Sequence, residues 1–151
     1  MGTYRVCRAF TVESGHMLSK HPEDCRYPHG HTRRIEVVCS SQKLNKFDMV
    51  VDFKALKHAL REFIEMFDHS MAINSKDPLL PALQRQAPDG LIIYDDQDPT
   101  TEVIAADIFA FVEEVFAKGW KNDKYFIPAG KITLERVRIS ETPNSWAEHS
   151  R

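Results

Sequence analysis

From Tyr4 to Val12 the apolar side chains of Tyr4, Val6, Phe10 and Val12 fall on one parity, which predicts a strand with one buried face. Ile35 and Val37 repeat that signature in HTRRIEVVC and predict a second strand. Between them the stretch from about Met17 to Pro28, with Ser, Lys, Glu, Asp and two prolines, reads as a long loop. Two strands joined in this way pair antiparallel most easily. MVVDF, Met49 to Phe53, predicts a short third strand running straight into a helix. Asp52 is a good N-cap for that helix, and Phe53, Leu56, Leu60, Phe63, Ile64 and Phe67 recur at helical spacing towards an end near Asp68 and His69.

Pro78, Pro81 and Pro88 punctuate the chain from Ser75 to Asp98, which reads as loop with LIIY (Leu91 to Tyr94) as a short strand inside it. Thr100 then caps a second helix whose apolar face is Ile104, Ile108, Phe111, Val112, Val115 and Phe116, and Gly119 stops it. KITLERVRISE alternates but changes phase, from Ile132 and Leu134 to Val137 and Ile139, so a β-bulge is expected near Glu135 and Arg136. The elements add up to one α+β domain over residues 1–151, a mainly antiparallel sheet with two helices packed on one face. Such a sheet has exposed edges, and an oligomer that pairs them is the natural remedy.

Composition narrows the function classes. At 151 residues the chain can bury a proper core without a disulfide or a metal to keep it folded. The balance of 22 acidic against 20 basic side chains gives no electrostatic footprint for nucleic acid or an anionic membrane, so a small molecule or a protein is the expected partner. Cys7, Cys25 and Cys39 are odd in number and irregularly spaced, which argues against a secreted disulfide framework and for a reducing, cytoplasmic setting. The start MGTYRVCRAF lacks a signal peptide's apolar core, Val6 stands where a myristoylation motif needs Ser or Thr, and no apolar run approaches the roughly 20 residues of a membrane span.

The chemistry gathers in CRYPHGH. His29 and His31 are two apart, share a face on a strand, and are in phase with Ile35 and Val37. His16, in phase with Phe10 and Val12, ends the first strand, and antiparallel pairing brings it beside the other two. Three neutral imidazoles with an open fourth position form the catalytic zinc pattern, whereas Cys25 as a fourth ligand would close the shell and make a structural site. Pro28 separates Cys25 from the strand, which favours a thiol left free to act as base or nucleophile. Cys7 and Cys39 lie within strands and are expected to be buried as small hydrophobes. Glu141 shares the parity of Val137 and Ile139, so a carboxylate is expected to point where apolar residues point, and it could receive a bidentate donor.

In order, His16, Cys25-x-x-x-His29-Gly30-His31, Asp68-His69, Pro99-Thr100-x-Glu102 and Glu141-Thr142 resemble the 6-pyruvoyl-tetrahydropterin synthase and 6-carboxy-tetrahydropterin synthase family over nearly the whole chain. The resemblance implies the tunnelling fold (T-fold), in which subunits join their sheets into a barrel, commonly a hexamer of two stacked trimers. It also implies that His16, His29 and His31 bind zinc, that Cys25 is the general base, and that Asp68 and His69 assist it from a neighbouring subunit. Glu141 would anchor the pterin ring, with Thr100, Thr101 and Glu102 lining the same pocket. Two positions depart from the pattern. Arg33 stands where an aromatic residue is common, and Asn74 comes one residue later than usual; neither is expected to touch the ligands, while Arg33, Arg34, Lys20 or Arg26 are candidates for a phosphate chain or for simple solvation.

The family converts 7,8-dihydroneopterin triphosphate. Three residues between the cysteine and HGH is the spacing of the 6-carboxy type on the path to queuosine, which releases acetaldehyde and triphosphate. The reading is therefore a zinc-dependent 6-carboxy-5,6,7,8-tetrahydropterin synthase, a carbon–carbon lyase. Its alternatives are the 6-pyruvoyl type, which eliminates triphosphate, and a non-catalytic zinc or pterin-binding module with Cys25 as fourth ligand.

Overall fold

In the computed structural model, which describes residues 2–151, the alternation that begins at Tyr4 runs on through His16 to make β1 (Tyr4–His16). β1 pairs antiparallel with β2 (His29–Ser41) in unbroken register from Tyr4 opposite Ser41 to His16 opposite His29. β7 (Thr133–Thr142) adds to the other side of β2, and the register slips where Val38 faces Arg136 but Cys39 faces Leu134. Glu135 is thus the extra residue, and the phase change in the sequence is a bulge. A second slip lies between Ser140 and Thr142 in the pairing of β7 with β8 (Ser145–Ser150), so Glu141 is itself a bulge residue.

α1 (Phe53–Glu65) starts where expected, with the Asp52 carboxylate accepting from Lys54 N at 2.8 Å. α3 (Thr101–Lys118) is capped by Thr100, which accepts from Val103 N, and stops at Gly119, whose φ of 78° suits glycine. Both helices cover the same sheet face. Leu56, Leu60 and Ile64 of α1 and Ile104, Ile108 and Val112 of α3 share one core with Val12, Ile35, Val37, Val137 and Ile139, and Phe63 stacks on Phe111 with ring centroids 4.1 Å apart. Each such fully buried aliphatic side chain contributes about 1.5–3 kcal/mol relative to exposure. Phe53 does not join them; it begins the helix on its outer side, 49% exposed.

The sequence reading is corrected in several places. Met49–Phe53 forms no strand, because its backbone is committed elsewhere: Asn45 N bonds Met49 O, the Asn45 side chain accepts from Phe47 N and Met49 N, and Asp48 adopts φ 62°. Val50 and Val51 still reach the core from this turn. β3 (Met71–Asn74) follows α1 and lies parallel to both β1 and β4 (Leu91–Tyr94), and the six-stranded sheet, ordered β4-β3-β1-β2-β7-β8, is mainly antiparallel as expected. The region read as loop also holds a short helix, α2 (Leu80–Gln86), because Pro81 falls in its first turn, where the missing N–H costs nothing. β5 (Trp120–Lys121) and β6 (Phe126–Ile127) make a small separate ladder. Cys39 is buried as expected, but Cys7 is exposed because its parity points away from the helices.

Candidate active site

The end of the β1–β2 ladder, beneath the first turn of α3, carries the histidines. His16 sits directly opposite His29, and His31 lies opposite Ser14, one diagonal step away on the same face. Gly30 lies opposite Gly15, and a Cβ on Gly30 would press to 3.2 Å from the Ser14 carbonyl oxygen. Ring centroids are 4.5 Å apart for His16 and His29 and 5.1 Å for each other pair. One nitrogen from each ring falls in a group whose members all lie within 4.8 Å of one another, the spacing needed to hold one metal ion.

Two main-chain carbonyls orient these rings. Nδ1 of His16 donates to Pro99 O at 2.8 Å, and Nδ1 of His29 donates to Tyr27 O at 2.8 Å, which leaves Nε2 of each neutral ring as a ligand atom. Nε2 of His31 lies 3.2 Å from Nε2 of His16, within hydrogen-bond distance, so these two ring nitrogens face the same point. The donor set fits zinc: three imidazole nitrogens and an open position. Burial pushes the His16 imidazole down to about 4, helped by the nearby Arg33 charge and opposed by the Pro99 carbonyl. Burial also pushes His31 down, again with Arg33 adding to the effect. Both rings are therefore neutral, as ligation requires.

The lowered His16 value sets a stability trend for the metal-free chain. In the unfolded chain an imidazole protonates near pH 6.5, whereas His16 in the fold protonates only near 4. Across that window the unfolded state binds more protons, so stability is lost as pH falls from 6.5 towards 4. The metal-free protein is expected to melt roughly 5 °C lower at about pH 4.5 than at about pH 7. Differential scanning calorimetry across that range measures the difference, and a flat profile would contradict a buried neutral His16.

Arg33 was expected not to touch the ligands, and the structure corrects this. It is 1% exposed, its Nη2 is 3.2 Å from His16 Nδ1, its Nε donates to Ser14 Oγ at 3.0 Å, and its Nη1 donates to Thr101 Oγ1 at 2.9 Å. It is therefore unavailable to a phosphate chain. Thr101 in turn donates to Glu141 Oε1 at 3.0 Å, and that oxygen lies 3.6 Å from His16 Nε2 and 3.7 Å from His31 Nε2. Glu141 is thus beside the histidines as its parity suggested, but its bulge leaves the side chain 35% exposed rather than buried. The aliphatic-phase position of Arg33, two after His31 and two before Ile35, was the signal that could have found it.

Other predicted residues stand apart from this group. Cys25 is half-buried in a single 3-10 turn, Asp24–Arg26, and lies outside the nitrogen cluster. Asp68 accepts from Glu13 N at 2.7 Å and from His69 Nδ1 at 2.8 Å, an arrangement that holds the carboxyl below and the imidazole above their ordinary ranges. His69 projects with its side chain 80% exposed from a backbone at φ 56°, fixed by its N–H bond to Glu13 O. Among the described residues no hydrogen bond joins Cys25, Asp68 or His69 side chains to the three histidines. Thr100 is used as a cap, and exposed Glu102 lines a groove of about 440 Å³ with Tyr94, Gln97 and Asp107. Asn74 is buried and donates to Asp98, which also fixes Ser19 and Lys20 N, so it shapes the loop rather than the ligands. Arg26 is spent on Pro22 O and Tyr27 Oη, while Arg34 and Lys20 are exposed.

Comparison with known proteins gives a consistent picture. The family model described as 6-pyruvoyl tetrahydropterin synthase matches residues 5–151. The chain is 28% identical over 145 residues to the 6-carboxy-5,6,7,8-tetrahydropterin synthase of Rickettsia conorii, covering 95% of this chain and 98% of that one. It is 27% identical to the enzyme of the same name from Aquifex aeolicus, covering 97% of each. Among solved structures, an uncharacterized protein of Wolinella succinogenes superposes with TM-score 0.81 at 20% identity, over 100% of this chain and 99% of that one. The 6-pyruvoyl tetrahydropterin synthase of Plasmodium vivax does so with TM-score 0.69 at 14% identity and the same coverage. No helix is long and apolar enough to cross a membrane among the described residues.

Proposed function

This chain belongs to the 6-pyruvoyl tetrahydropterin synthase family, and within it we propose a zinc-dependent 6-carboxy-5,6,7,8-tetrahydropterin synthase that acts on 7,8-dihydroneopterin triphosphate. The convergence of His16, His29 and His31 around one point, with a carboxylate alongside and no fourth ligand in the group, carries this reading. The name of the full-length curated relatives supports the 6-carboxy branch over the 6-pyruvoyl one.

His16, His29 and His31 would hold the zinc, which supplies Lewis-acid stabilisation of negative charge developing on the substrate side chain. Cys25 would take the proton from the carbon next to the side-chain hydroxyls of the substrate. Asp68 fixes Nδ1 of His69, so the ring presents Nε2 outward to donate or relay a proton, a base held by its orienter. Its exposure and its separation from the histidines suit a role at the site of a neighbouring subunit. Glu141 offers a carboxylate edge to the adjacent N–H groups of a pterin, and Thr101 steadies it. The unpaired outer edges of β4 and β8 would join between subunits to build a hexameric barrel of two trimers.

The deciding experiment incubates the zinc-loaded protein with 7,8-dihydroneopterin triphosphate and identifies the pterin by mass. A 6-carboxytetrahydropterin with acetaldehyde and triphosphate is expected. A 6-pyruvoyl product would reverse the branch, and no conversion with the metal site full would favour a binding module.

A further inference from the structure

A charge as deeply buried as that of Arg33 is costly unless its N–H groups are engaged. Here Nε meets Ser14 Oγ and Nη1 meets Thr101 Oγ1, and the two acceptors are themselves only 5% exposed. The Thr101 hydroxyl has one proton to give, and having accepted from Arg33 it donates to Glu141 Oε1 at 3.0 Å. That oxygen stands 3.6 and 3.7 Å from Nε2 of His16 and His31, beside two of the three candidate metal ligands, yet it is outside their cluster. A carboxylate so close to a cation is a ready ligand, and a fourth protein ligand converts an open zinc site into a closed one. Among the described residues, the hydrogen bond given to its side chain is the one from Thr101, which sets the direction of the carboxylate.

We propose that Arg33, acting through Thr101, is a positioning residue that holds Glu141 away from the metal and so keeps the fourth coordination position open for substrate. The inference rests on the three-histidine zinc reading. Arg33 touches no substrate in this scheme; it polarises the Thr101 hydroxyl and fixes the direction in which that hydroxyl donates. Loss of the hydroxyl frees Glu141 to turn on its bulge and close the shell.

Zinc affinity, measured by competition with a chromophoric chelator, separates this from a merely structural role, which would leave affinity unchanged or weaken it. Thr101→Val and Thr101→Ala are expected to bind zinc severalfold more tightly than wild type, because the freed carboxylate adds a fourth ligand, with Thr101→Ser close to wild type. Thr101→Val combined with Glu141→Gln should return to the wild-type value. With cobalt in place of zinc, the visible spectrum of Thr101→Val should differ from wild type and revert in the double variant. Two variants guard against one failing to fold, since alanine removes the hydroxyl without the crowding of valine. Wild-type affinity in both folded single variants overturns the inference, as does tightening that survives Glu141→Gln. Wild-type protein that takes up no zinc overturns the metal reading together with this one; zinc-binding wild type with an unaltered Thr101→Val overturns this one alone.

Discussion

Cys25→Ala protein is expected to keep its zinc and its melting temperature while turnover of 7,8-dihydroneopterin triphosphate falls by about three orders of magnitude, the usual worth of a positioned general base. The surroundings of Cys25 explain why fold and metal should survive. Its fixed contact is made by the main chain, whose carbonyl accepts from Leu18 N at 2.9 Å, and alanine keeps that bond. The turn that carries it, Asp24–Arg26, buries no side chain fully, so removing the thiol opens no core cavity. The nitrogen cluster forms without Cys25, and its rings are oriented by Pro99 O and Tyr27 O rather than by sulfur. A structural zinc clip predicts the reverse pattern, with metal lost and the melting temperature lowered. Metal content, a melting curve and product formation on the same purified sample distinguish the two, and zinc loss in the folded variant would sink the base assignment.

The parts of this site that could be read from sequence are those that obey strand periodicity. His29 and His31 share a face because they are two apart, and His16 meets them because β1 and β2 pair from Tyr4–Ser41 to His16–His29 without a slip. Periodicity also located both long helices, since Asp52 and Thr100 cap them through ordinary side-chain bonds. It failed where backbone groups or polar side chains override the pattern. Val50 and Val51 look like a strand yet follow directly on a turn, in which Asn45 takes the hydrogen bonds of Phe47 and Met49 that a ladder would need. β8 is nearly all exposed and has no apolar face to announce it; it is there because β7 offers an edge. Glu141 kept its parity and lies beside the histidines, but at a bulge its side chain stays partly exposed. Arg33 is the most instructive miss: its phase with Ile35 marked it as inward-facing, but its partners Ser14 and Thr101 lie 19 and 68 residues away and are set only by tertiary structure.

Chelation is expected to abolish turnover and to lower the melting temperature by roughly 10 °C, while leaving a cooperative transition. At a thousandfold excess of metal over Kd, binding adds about 4 kcal/mol to stability, and a chain of this size shifts by about 2–4 °C per kcal/mol. The transition should remain because the main core, from Val12 through Leu60 and Ile108 to Ile139, contains none of the three histidines. His31→Ala provides the genetic counterpart. His31 keeps a side-chain exposure of 16% at the mouth of the cluster, so its truncation costs little packing, whereas His16 is wholly buried. Without His31 only two nitrogens remain, and the variant should melt where chelated wild type melts, bind little zinc, and gain no stability when zinc is added. Turnover should be lost with the metal. Chelated protein that unfolds altogether would make the ion architectural. Because the core and the cluster share a sheet face but no residues, the expected result is instead that the ion is needed for chemistry and the fold is needed to hold three neutral imidazoles ready for it.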